Sequence, residues 1–82
     1  SAFQVNEAAK KLTMAEKNLE KANENLRYAT PGFEEGVIPA SNVLEAHTAW
    51  LSAQSEKIDA QIDVKLTEIY LRKATGELTI DN

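Results

Sequence analysis

From Val5 onward an apolar residue returns every three or four positions: Val5, Ala8, Leu12, Ala15, Leu19, Ala22, Leu26, Ala29 and, past a proline, Phe33. This 3,4,3,4 spacing is the seam of a coiled coil. It predicts a helix over about residues 3–29, reaching 34 if the chain carries on through Pro31. Leucine and alanine alternate strictly from Leu12 to Ala29. A second helix is predicted over about 42–75, with a seam at Leu44, Thr48, Leu51, Ser55, Ile58, Ile62, Lys65 and Ile69. Ser41 or Asn42 can cap its start, and Asn42 followed by Glu45 reads as a variant capping box. Gly76 supplies a stop at its end. Between the helices lies a turn of about residues 30–41, holding Pro31, Gly32, Gly36 and Pro39 around an apolar pair, Val37-Ile38.

Folding the chain about Gly36-Val37 pairs residues whose numbers sum to about 73 or 74. Ala29 then meets Leu44, Ala22 meets Leu51 and Ala15 meets Ile58. Between them fall Leu26 with Thr48, Leu19 with Ser55, Leu12 with Ile62 and Val5 with Ile69. A large side chain faces a small one in most layers, which permits void-free packing. The expected fold is therefore all-α, a long antiparallel two-helix coiled-coil hairpin. The second helix carries another stripe, through Val43, Ala46, Trp50, Ala53, Ala60, Val64, Leu71 and Ala74. Either Trp50 and Tyr70 close over the seam, or this face packs laterally on further helices. A contiguous apolar patch of that size favours the second reading, with Trp50, Val64 and Leu71 as the lateral contacts.

At 82 residues the chain is one unit at most, and a chain this short buries only roughly 60% of its unfolded surface. It reads as a single hairpin, residues 1–82, cut from a longer protein. The net charge of -4 is unevenly placed: no Lys or Arg occurs from Tyr28 to Glu56, whereas Glu34, Glu35, Glu45 and Glu56 do. Outside that segment the acids and bases balance. Such a surface is a poor match for nucleic acid, whose phosphates require clustered Lys and Arg. A basic partner at the middle of the chain fits better.

Little here supports chemistry. There is no cysteine, and hence neither disulfide nor thiolate. His47 stands without the three or four ligands that a metal requires. Glu34-Glu35 in an open turn reads as solvated charge rather than an acid–base pair. Scattered glycines form no phosphate-binding loop, and a thin hairpin encloses no pocket. Glu7-Lys11 and Glu68-Arg72 are ordinary helix-face pairs. No catalytic residue, metal or cofactor is expected.

The turn carries a resemblance. A helix ending in Leu26-Arg27-Tyr28-Ala29, then Phe33-Glu34-Glu35-Gly36-Val37-Ile38, then a helix opening with Ser41-Asn42-Val43-Leu44-Glu45-Ala46, resembles the TolC family of outer-membrane efflux proteins. The closing Leu71-Arg72-Lys73-Ala74-Thr75-Gly76 is similar to that family's LxxATG pattern. The likeness covers nearly the whole chain and is most specific around Gly36. It implies a homotrimeric outer-membrane channel whose helical hairpins build a periplasmic tunnel. The hairpin turns of such a tunnel dock a periplasmic adaptor (membrane fusion) protein, which links the duct to an inner-membrane transporter. Carried over, Phe33, Gly36, Val37 and Ile38 would be the partner-binding tip. Glu34, Glu35, Asn42 and Glu45 would be polar residues at or near the aperture. Pro31-Gly32 interrupts a helix that in the family usually runs unbroken to the aromatic, Ile38 stands where some members carry a polar or charged residue, and Asn42 stands where an aspartate is common. The rival expectation is a purely structural coiled-coil spacer or oligomerisation hairpin, which leaves Val37-Ile38 unexplained.

Overall fold

A computed structural model describes residues 2–74, with side chains described from Asn6 to Lys73. Two helices account for nearly all of it: α1 (Ala2–Glu34) and α2 (Ala40–Ala74), packed against each other along their length. At about 1.5 Å per residue each is about 50 Å long. The side chains of Val5 and Ala74, together with Thr75 and the expected stop at Gly76, lie outside the described residues.

The seam of α1 is the one its spacing predicts. Ala8, Ala15, Leu19, Ala22 and Ala29 are buried, with Leu12 and Leu26 half-buried between them. The antiparallel pairing also stands, but the predicted layers do not: Ala22 packs with Ala53 rather than with Leu51, which is exposed. The indole Nε1 of Trp50 donates to Oδ1 of Asn23, and Lys11 Nζ lies 3.9 Å from Asp63. Both pairs fall on the predicted fold axis. Lys11 thus reaches across the hairpin, while Glu7 pairs with Lys10 at 3.8 Å. These exposed ion pairs contribute at most about 1 kcal/mol each.

The face of α2 that meets α1 is a correction. Leu44, Leu51, Ile58, Ile62 and Ile69, expected in the seam, are 47 to 68% exposed. The seam instead runs through Val43, Ala46, Trp50, Ala53, Lys57, Ala60, Val64, Thr67 and Leu71, all buried or half-buried. Ala53 and Ala60 sit in the core, and Trp50 packs on the cluster of Leu19, Ala22 and Ala53. Trp50, Val64 and Leu71 therefore lie on the α1 side, and the outward face is the one through Leu44. Both stripes repeat at 3.5 residues, so periodicity alone does not choose between them. Small side chains do, because alanine facing alanine lets two backbones approach closely. The polar interruptions of the chosen seam are also tolerable. Thr67 bonds back to the carbonyls of Asp63 and Val64 at 3.0 and 2.9 Å. Lys57 is half-buried, and a lysine can cover apolar surface with its stem while its ammonium stays in water.

Among the described residues no large side chain is fully buried. The core of the hairpin is an alanine ladder joined by Leu19, and the leucines and isoleucines of the outward α2 face lie outside it. Replacing Ala22 by Leu should overpack the ladder and cost about 1–3 kcal/mol. Leu51→Ser on the outward face should change the stability of the isolated hairpin by less than about 0.5 kcal/mol. Thermal unfolding followed by far-ultraviolet circular dichroism at low concentration checks both. Equal losses for the two variants would contradict the assignment of faces.

Candidate functional site

The end of the hairpin is built by how α1 stops. Pro31 does not end the helix; α1 passes it and runs on to Glu34. Thr30 Oγ1 donates to the Leu26 carbonyl at 3.2 Å just ahead of it, and the amide of Glu35 bonds the Pro31 carbonyl at 2.9 Å. The stop comes at Gly36, whose φ of 77° is left-handed, a conformation that glycine adopts without the Cβ clash. The Gly36 amide bonds the Phe33 carbonyl at 2.9 Å and the Val37 amide bonds the Gly32 carbonyl at 2.8 Å. That pair of bonds is a Schellman motif, which satisfies carbonyls the helix end would otherwise leave open. The Ile38 amide also reaches the Gly32 carbonyl, at 3.2 Å.

Pro39 then leads into α2 at Ala40, two residues ahead of the expected start. Its fixed φ suits the entry to a helix and its missing N–H costs nothing there. Ser41 and Asn42 consequently lie inside the first turn rather than before it, and the Asn42 amide bonds the Pro39 carbonyl at 3.0 Å.

This geometry separates the residues singled out at the turn. Val37 is 73% exposed and Phe33 46%. Ile38 is half-buried, folded back over Gly32. Glu34, Glu35, Asn42 and Glu45 are all exposed, so the end of the hairpin is an apolar knob in acidic surroundings. The sequence alone did not disclose the contact between Gly32 and Ile38. A glycine one turn before a helix stop is its only signal, since glycine within a helix is unfavourable unless something approaches its backbone.

Elsewhere the described residues offer no reaction centre. No cluster of His, Asp or Glu among them could hold a metal ion. His47 is exposed, its ring tilted 41° and 6.1 Å from that of Trp50. Neither described helix is long and apolar enough to cross a membrane.

The arrangement defines a class: an antiparallel coiled-coil hairpin with a preformed tip and an apolar outer face. The sequence profile of the outer membrane efflux protein family matches residues 1–77. The chain belongs to that family, which comprises efflux channels rather than enzymes. No curated protein and no solved structure matches it.

Gly36→Ala should cost about 1 kcal/mol, because a Cβ at φ 77° is strained even where nothing crowds it. Gly36→Asn should cost less, since asparagine tolerates the left-handed region. Thermal midpoints of the three hairpins measure the ranking. An Ala variant as stable as the parent would contradict the left-handed stop.

Proposed function

We propose that this hairpin is a wall element of the periplasmic tunnel of an outer-membrane efflux channel, with its tip at the tunnel mouth docking a periplasmic adaptor protein. The observation that carries the reading is the outward face of α2. Leu44, Leu51, Ile58, Ile62 and Ile69 repeat in heptads on the side away from α1 and stand exposed. A second coiled-coil seam on one helix is what a wall of side-by-side hairpins requires, because each inner helix must be covered on two sides. Lateral packing then rests on this stripe, and Trp50, Val64 and Leu71 belong to the contact with α1.

The tip supports the docking half of the reading. Val37 projects an apolar side chain where a free turn has no use for one, and the stretch from Tyr28 to Glu56 carries acids and no base. An adaptor tip that offers an apolar recess with basic groups at its rim would complement it. In the full-length protein the channel would be a homotrimer, coupled through the adaptor to an inner-membrane transporter, with Glu34, Glu35, Asn42 and Glu45 near the aperture.

The test uses the full-length protein in its own cells. A photo-crosslinking residue at Val37 should capture the adaptor, and one at Lys10, far from the tip on α1, should not. Capture at neither position, or only of further copies of the same chain, would leave a structural hairpin and remove the docking role.

A further inference from the structure

The turn contains a lock that the docking role does not by itself demand. An ideal Cβ built on Gly32 would stand 3.2 Å from Cγ1 and 3.3 Å from Cδ1 of Ile38. A Cβ at position 32 would therefore crowd the Ile38 side chain and make it give by a few tenths of an ångström. The same glycine supplies the carbonyl that accepts both the Val37 and the Ile38 amides, at 2.8 and 3.2 Å. Gly32 is thus gripped twice, on its bare face by a side chain and at its carbonyl by two amides. Val37 lies between these fixed points with its own side chain 73% exposed.

We infer that Gly32 and Ile38 form a clasp that positions Val37, so that Ile38 is a positioning residue and Val37 the group that enters the partner. This rests on the docking reading given above. It divides the apolar pair into one contact and one support, and it gives Pro31-Gly32 a purpose. A helix continuing through an ordinary residue at position 32 would push Ile38 out of this close fit. The clasp also lowers the entropy lost on docking, because the backbone that presents Val37 is already bonded before a partner arrives.

The experiment is a size swap in the full-length protein, read in two ways. Hydrogen exchange of the purified protein reports whether the Val37 and Ile38 amides are held. Photo-capture of the adaptor in cells reports docking, with the probe moved to the neighbouring exposed Glu35 so that Val37 stays native. Gly32→Ala and Ile38→Ala should each speed exchange of the two amides by about ten-fold and cut capture several-fold. The double variant G32A/I38A, in which the new methyl meets a vacated space, should recover much of both, since contacting residues are non-additive. Ile38→Val, which keeps both branches at Cβ, should stay near the parent. Val37→Ala should lose capture and keep the slow exchange.

Alanine is a better helix former than glycine, so lost capture in Gly32→Ala cannot be ascribed to a weaker α1. Unchanged exchange in Ile38→Ala would overturn the clasp. So would loss of capture in Ile38→Ala that the double variant leaves unrepaired, because Ile38 would then touch the partner itself. Absence of capture by the parent, with its slow exchange intact, would instead overturn the docking reading and leave the clasp a helix stop alone.

Discussion

Everything in this hairpin depends on two helices approaching closely through alanine. Ala8, Ala15, Ala22 and Ala29 on α1 and Ala53 and Ala60 on α2 are buried, and among the described residues Leu19 is the one larger side chain that joins them. Close approach puts the main chains near one another, and Trp50 then comes near enough to Asn23 for its indole N–H to be satisfied. Alanine also brings little apolar area into the contact, so this seam contributes less hydrophobic stabilisation than one of leucines would. The hairpin thus gains definition of register more than it gains stability. The remaining apolar area, on leucine and isoleucine of the outward face, is left available to other chains.

Helix existence, antiparallel pairing and chain reversal near Gly36 were all legible in the sequence. Each follows from a local or one-dimensional rule: heptad spacing and chain reversal at a glycine. The rotation of α2 about its own axis was not legible. Its two stripes share one period, and the rule that large should meet small pointed to Leu44, Leu51 and Ile58. The packing that forms puts small against small and lets Trp50, Val64 and Leu71 fill the gaps. Bulk in a seam is a good guide when the helices are the whole structure. It misleads here, where the bulkier face stands exposed.

The tip was half legible. The place of Gly36 and Val37 in the turn could be read from the sequence. The start of α2 at Ala40 was displaced because Pro39 opens a helix as readily as a capping side chain does. The fold-back of Ile38 onto Gly32 joins residues six apart across the helix stop, and neither heptads nor capping preferences encode it. A proline and a glycine near the end of a helix look like an interruption in sequence. In three dimensions they belong to the device that ends it.

The strict heptad repeat on both arms has a further consequence for how such proteins vary in size. Seven residues advance a helix by about 10 Å and return the same face to the seam. Gaining or losing one heptad in both arms together would leave the ladder, the outward face and the tip as they are, and would change only reach. A single-residue insertion in α2 would instead rotate everything beyond it by about 100° and carry its apolar stripes off both neighbours. The alanine ladder therefore makes the hairpin a ruler graduated in heptads, able to match compartments of different depth in steps of one fixed length.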